Sequence, residues 1–226
     1  MTKIINEMFD NIAKNYDRLN NIMTLGQHLS VKKRAINNVP LRTGFRVLDI
    51  CTGTGDIAIH LAKNIVKEGK VVGVDFSANM LELAKEKAIG LDNIEFVSAD
   101  ALNLPFTDGE FDACFISFGL RNLDDLKKGL AEMKRVTKVG GYVVNIDTGK
   151  PKGLIAFFHQ LYFFYVVPLI GRLFNGKSAP YKYLPQSTEK FPSQDELVQI
   201  FEELGLSNVQ KFDFLFGAIS QQVGKV

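Results

Sequence analysis

The chain has 226 residues, of which 46% are hydrophobic and 23% charged, and its formal net charge is +2. That is enough for one full-sized domain of ordinary globular composition with a sizeable core. The near-neutral balance gives no general electrostatic case for nucleic acid, and no uncharged apolar run reaches the ~18 residues of a membrane span. Cys51 and Cys114 both sit in apolar runs. They read as small buried residues of a reducing compartment rather than as a disulfide. The first residues carry no signal-peptide pattern, so a cytoplasmic location is expected.

Residues 4–39 read as helical, with Ile4, Ile5, Met8, Phe9, Ile12 and Tyr16 at helical spacing. A loop near Gly26 separates them from a second helix through Val31, Ala35 and Ile36. Strands and helices then alternate. Strands are expected at 45–50, 70–75, 93–98, 111–117 and 141–147, with helices at 56–66, 77–88 and 124–138. Such alternation argues a doubly wound, mostly parallel sheet of α/β class. Residues 153–176 are a long apolar segment. Residues 193–205 follow as an amphipathic helix, capped by Ser193 and stopped by Gly205. Two β-like runs, 208–216 and 218–226, surround Gly217. The simplest organisation is one domain. It has a helical N-terminal lid (1–40), a cofactor-binding core (41–150), an apolar helical cap (151–192) and a C-terminal helix with a β-pair (193–226).

The densest signal is the run from Val47 to Asp56. An apolar strand ends in Asp49 and Ile50, bends through Gly53, Thr54 and Gly55, and enters a helix. Glycines at 53 and 55 let backbone approach a ligand, and the helix turns its amide-rich N-terminus toward the same place. The loop also satisfies a loose G-x-G-x-x-A dinucleotide pattern. Asp75 ends the second strand 22 positions after Gly53, where a ribose-binding acid belongs. Its bland alternative is an N-cap for the helix at Ser77. Asp100 and Ala101 follow the third strand, and Ser117 ends the fourth.

Taken together, these signals resemble the class I S-adenosylmethionine-dependent methyltransferases, whose sheet closes with an antiparallel strand. The resemblance sharpens in the hexapeptide from Ser117 to Asn122 and in the stretch from Tyr16 to Asn20. Both are similar to the quinone C-methyltransferases of the menaquinone and ubiquinone pathways. The stretch from Val74 to Leu81, with Leu104-Pro105-Phe106 and Tyr183-Leu184-Pro185, carries the same likeness. The resemblance implies cofactor contacts from Asp49, Gly53, Thr54, Gly55, Asp75, Phe76, Asp100, Ala101 and Ser117. It implies a reduced quinone as substrate. Arg121 would stabilise the ring oxyanion, Asn122 would bond the other ring oxygen, and Tyr16 would close the pocket and relay a proton. The bland alternative for Arg121 is a surface pair with Asp124 or Asp125; for Tyr16 it is packing. The chain departs from the family pattern at Val31, Val139 and Gly149, where tryptophan, proline and serine are common. It also has Gln222-Val223-Gly224 where His-x-Gly is frequent.

The segment between Thr148 and Thr188 holds no acidic residue, five basic ones and many aromatics. It is a poor membrane span but a reasonable interfacial or prenyl-binding surface, and peripheral membrane contact is expected. The alternative is a core-facing cap helix. His28, His60 and His159 show no spacing that suggests a metal site or a nucleophile pair. Three other functions remain open: a methyltransferase for another hydrophobic small molecule, an NAD-dependent oxidoreductase, and a non-catalytic cofactor-binding protein. Oligomer formation is left open as well.

Overall fold

In the computed structural model, residues 10, 13, 17, 18, 20–22, 24, 26–167, 169 and 179–226 are described. The expected helical turn of Tyr16 lies outside them. Seven strands form one sheet: β1 Arg46–Ile50, β2 Lys70–Asp75, β3 Ile94–Ser98, β4 Phe111–Ser117, β5 Thr137–Thr148, β6 Ser207–Phe214 and β7 Ile219–Lys225. Their order is β3-β2-β1-β4-β5-β7-β6. The first five run parallel, and β7 is antiparallel to both β5 and β6. The doubly wound sheet with an antiparallel ending is therefore as expected.

The helices are α1 His28–Asn37, α2 Asp56–Asn64, α3 Ala78–Lys87, α4 Leu126–Val136, α5 Leu154–Leu161, α6 Ala179–Lys190 and α7 Gln194–Glu203. Strand alternation decides which face each packs on. Val47, Val71, Ala113, Phe115 and Val144 meet α1 and α2 on one face, through Ile36, Ile57 and Leu61. Leu48, Val72, Cys114, Ile116 and Val143 meet α4 and α7 on the other, through Leu130, Met133, Leu197 and Phe201. Both faces of β1 are covered, which is why Val47, Leu48 and Ile50 are all buried although they point to both sides of the sheet.

Several boundaries differ from the sequence reading. The helix expected to reach residue 138 ends at Val136, and β5 begins four residues earlier than expected, at Thr137. Thr137 pairs with Phe111 before a register shift, so the glycine pair 140–141 lies within the strand as an irregularity rather than before it. The apolar segment at 153–176 begins as α5 and continues into a π-helical turn, Tyr162–Val166. Ser193 caps α7 as its sequence implied, and Glu196 completes a reciprocal capping box that the sequence reading did not include.

The departures from the family pattern have local reasons. A Cβ on Gly149 would lie 2.3 Å from the Gly217 carbonyl oxygen, so backbone occupies the space a serine would need. Val139 is exposed within β5, beside the irregularity at Gly140, whose φ is positive. Gln222 is buried and tied into the sheet: Asn145 donates to it at 2.6 Å, and it donates to Ser220 at 2.9 Å. Gly149→Ser should cost about 1–3 kcal/mol through overpacking. That lowers Tm by roughly 2–10 °C for a chain of this size, readable by thermal denaturation. An unchanged Tm would show that the contact with Gly217 is loose.

Candidate functional site

Strand order reverses between β1 and β4, and both strands end in left-handed residues: Cys51 with φ 54° and Phe118 with φ 55°. Non-glycine residues held there store backbone strain, which concentrates at functional positions. Side chains on the two strand ends face a crevice of the kind that binds ligands in open α/β sheets.

Asp49 lies at the floor, 1% exposed. Its Oδ2 accepts hydrogen bonds from the Thr52 hydroxyl at 2.6 Å and the Ala58 amide at 3.2 Å. One carboxylate thus ties the strand, the loop and the first turn of α2 together. Burial raises its pKa to about 7, against the lowering effects of Thr52, Lys32 and Ala58. Gly55, the residue before α2, has φ 84°, and a Cβ there would crowd Ile59 and Ala84. Both geometry and space therefore require glycine.

Asp75, Phe76, Asp100 and Ala101 line one small cleft together with Cys51 and Leu123. Asp75 accepts from the Gly53 amide at 2.8 Å and the Ser77 amide at 2.9 Å, one on each carboxylate oxygen. Each oxygen retains a further acceptor position for a hydroxyl. Burial raises the Asp75 pKa, and those amides oppose the shift. The N-cap role falls to Ser77, whose side chain accepts from Met80. Phe76 stands half-exposed at the lip. Ser117 carries a buried hydroxyl with no hydrogen-bond partner. An orphaned buried hydroxyl, a carboxylate fork and an aromatic lip fit a nucleoside. The cleft itself is tight, about 10 Å³, and the N-terminal segment is bonded across its neighbourhood. Asp17 accepts from the Thr54 hydroxyl at 2.7 Å and also pairs with Lys87; Asp10 accepts from Ser77.

On the other side of Phe118 lies a cavity of about 210 Å³. Its walls include Asn20, His28, Lys32, Phe118, Arg121, His159, Tyr162 and Phe163. Roughly 150 Å³ suffices to take up a benzene ring, so this space suits an aromatic nucleus. Arg121 enters it from the short turn after β4. Its guanidinium is 8% exposed and pairs at 2.5 Å with Asp147, which is wholly buried on β5. Arg121 also donates to the Phe118 carbonyl at 2.9 Å, while its Nε has no partner.

The structure brings Arg121 and the cofactor residues to one end of the sheet, on either side of the β4 turn. Asn122 sits differently from the sequence expectation. Its amide donates to the Phe118 carbonyl at 3.1 Å and accepts from the Tyr183 hydroxyl at 3.1 Å, so it braces the turn and is absent from the cavity wall. Asp125, the suggested surface partner of Arg121, instead caps α4 through Lys128. Tyr16 lies outside the described residues. Sequence reasoning missed Asp147, which looked like a strand end, and passed over His28 and His159, which line the cavity. Only pairing across the sheet reveals the first. The histidines share a wall although 131 positions separate them (159 minus 28).

Residues 1–225 match the ubiE/COQ5 methyltransferase family. A demethylmenaquinone methyltransferase of Staphylococcus aureus (strain JH9) is 43% identical over 221 residues, covering 97% of this chain and 92% of the relative. Among solved structures, a SAM-dependent methyltransferase from Aquifex aeolicus matches with a TM-score of 0.63 at 25% identity, covering 85% of this chain and 88% of that one. The phosphoethanolamine N-methyltransferase 2 of Haemonchus contortus in complex with S-adenosyl-L-methionine shares the fold at 21% identity. Its TM-score is 0.63, and 82% of this chain covers 38% of that one. These findings set aside the oxidoreductase reading. The chain belongs to the ubiE/COQ5 methyltransferase family, and S-adenosylmethionine is its cofactor.

Proposed function

We propose that the protein methylates a ring carbon of a prenylated quinol, with demethylmenaquinol as substrate and menaquinol as product. The observation that carries this reading is the aromatic-walled cavity with Arg121 fixed in its side, next to the cofactor crevice. The name of the Staphylococcus aureus relative supports the same substrate.

S-adenosylmethionine, when bound, supplies a strongly electrophilic methyl group. Asp75 would hold the ribose hydroxyls, Phe76 would cover the base, and Asp100 and Ala101 would line its pocket. Gly53, Thr54 and Gly55 would wrap the amino-acid end above Asp49, and Ser117 would offer its spare hydroxyl. The ring carbon becomes a nucleophile when a neighbouring hydroxyl ionises. Arg121 is permanently charged, so it favours that anion. Asp147 fixes the guanidinium through one Nη1 bond, leaving Nε without a protein partner. Tyr16 remains a candidate for closing the pocket. Asn122 holds the turn that carries Arg121.

The N-terminal segment acts as a lid in this reading, since Asp10 and Asp17 bond to residues around the cofactor loop. The α5 segment supplies membrane contact. Leu154, Phe157, Phe158, Leu161 and Tyr165 are all exposed along it, and Lys150 and Lys152 precede it. Among the described residues, no helix is long and apolar enough to cross a membrane. An apolar face of this kind fits an interfacial helix, at which a prenyl tail would be met.

Arg121→Ala would strand Asp147 as an unpaired buried charge, a change that destabilises by about 3–5 kcal/mol in its own right. Arg121→Lys is the cleaner variant. It keeps the charge but loses the planar fork. Turnover of a short-chain demethylnaphthoquinol, followed by mass spectrometry, should fall by roughly 10²-fold, as when one oxyanion donor is lost, while calorimetric cofactor affinity is retained. Wild-type protein that adds no methyl to naphthoquinols, but does so to benzoquinols or unrelated phenols, contradicts the substrate assignment. Arg121→Lys with unchanged turnover contradicts the role given to Arg121.

Co-sedimentation with vesicles should show binding that strengthens with anionic lipid and weakens when Phe157 and Phe158 are both changed to serine. No binding to either neutral or anionic vesicles would refute the membrane contact.

A further inference from the structure

The reaction releases a proton, and the residue that takes it is not apparent from the family motifs. As the ring carbon bonds to the methyl carbon, the carbon–sulfur bond breaks and its electron pair stays on sulfur. The sulfonium becomes a neutral thioether. The quinol exchanges one ring hydrogen for the methyl, so one proton must leave. An arginine paired with a buried carboxylate is a poor acceptor, because it is protonated throughout the working range.

We propose that His28 is this proton acceptor. The inference rests on the quinol methyltransferase reading above. His28 opens α1, is 5% exposed and lines the same cavity as Arg121. Its Nδ1 has no hydrogen-bond partner, and its Nε2 meets only the Asp56 carboxylate, just beyond hydrogen-bond distance. A buried imidazole without a partner is costly unless something else completes it. The surrounding charges orient it as a base. Asp56, on the first residue of α2, lies 3.6 Å from Nε2 and 14% exposed. Lys32 on the next turn of α1 donates to the same carboxylate at 3.1 Å, and Lys87 of α3 reaches its other oxygen at 3.5 Å. Burial would raise the Asp56 pKa, but His28 and the two lysines overcome it and hold the carboxyl well below the usual range. Asp56 therefore stays ionised and steadies a proton on Nε2, leaving Nδ1 as the basic nitrogen. Among the described residues, Arg121, His159 and Tyr162 are the remaining titratable groups on the cavity wall.

The proton path is short. Nδ1 takes the proton of the quinol hydroxyl, directly or through one water, and Arg121 stabilises the oxygen left behind. After methyl transfer, the ring carbon gives its hydrogen back to that oxygen as aromaticity returns. His28 then releases its proton to solvent, and the balance is one proton per methyl.

His28→Gln keeps a polar side chain but cannot take a proton at this pH. Turnover at saturating cofactor should drop about 10²-fold or more, the usual worth of a general base, with cofactor affinity within a few-fold of wild type. The saturating condition matters, because Asp49 also titrates near neutrality and acts on cofactor binding. A readout independent of turnover is the ultraviolet spectrum of bound 1-naphthol. Wild type should show the naphtholate band near neutral pH, and His28→Gln should not. Imidazole added to His28→Ala should restore part of the lost rate. Should His28→Gln fail to fold, wild type still decides: its kcat must fall as pH is lowered from about 8 to 5, the histidine range, and a flat profile overturns the proposal. Turnover of His28→Gln within three-fold of wild type, or an unchanged naphtholate band, overturns it as well. A wild type inactive on every quinol would instead sink the function reading on which this proposal rests.

Discussion

One buried carboxylate holds the cofactor crevice in shape. Asp49 receives the Thr52 hydroxyl and the Ala58 amide on a single oxygen, so strand β1, the glycine loop and α2 share one anchor. The loop then delivers the Gly53 amide to Asp75, which in turn accepts from Ser77 at the start of α3. Five segments, β1, the loop, α2, β2 and α3, are thereby registered by two carboxylates. The arrangement is costly in the absence of a cation. The Asp49 pKa is raised in the fold, so its contribution to stability is complete below the ordinary carboxylate range and is lost as pH rises through about 7. A positively charged cofactor beside it would reverse that cost, which is a reason for keeping an acid where an apolar residue would pack more cheaply.

A buried pair, Arg121 with Asp147, belongs to the second of two chambers with different chemistry. On the side of β1 to β3 two carboxylates, Asp75 and Asp100, stand among apolar walls with the Phe76 ring, suited to a nucleoside. On the side of α1 and α5 the walls are aromatic rings, two histidines and fixed cations, suited to an apolar ring that becomes an anion. Buried pairs are poor sources of net stability, so the worth of this one lies in placing a guanidinium where the strand ends meet. The left-handed residues Cys51 and Phe118 follow the two strand ends, Cys51 on the wall of one chamber and Phe118 on the wall of the other.

Much of this was legible in the sequence because it is local. The alternation of apolar runs predicts the parallel strands, and Asp75 and Asp100, singled out in the sequence, line one cleft. Ser193 and Gly205 announce the ends of α7 for the same reason. What sequence reading missed is non-local. Asp147 meets Arg121 only because β5 lies beside β4, and His28 and His159 line one cavity only because α1 and α5 both border it. Asn122 carried the right motif but its contacts, to Phe118 and Tyr183, come from its own turn and from α6. The early start of β5 was hidden by Gly140 and Gly141, which look like a loop yet continue the strand through a register shift. Gly149 reads as a neutral change until the carbonyl of Gly217 is seen against it.

The central claim is that a cationic methyl donor sits above Asp49. Calorimetric titration of S-adenosylmethionine in buffers of different ionisation enthalpy tests it most directly. With a free-protein pKa of about 7, binding at neutral pH should release about half a proton as Asp49 ionises, and almost none at a pH well above that value. Asp49→Asn should abolish the release. Binding with no proton release at neutral pH, or release that persists in Asp49→Asn, would contradict the account.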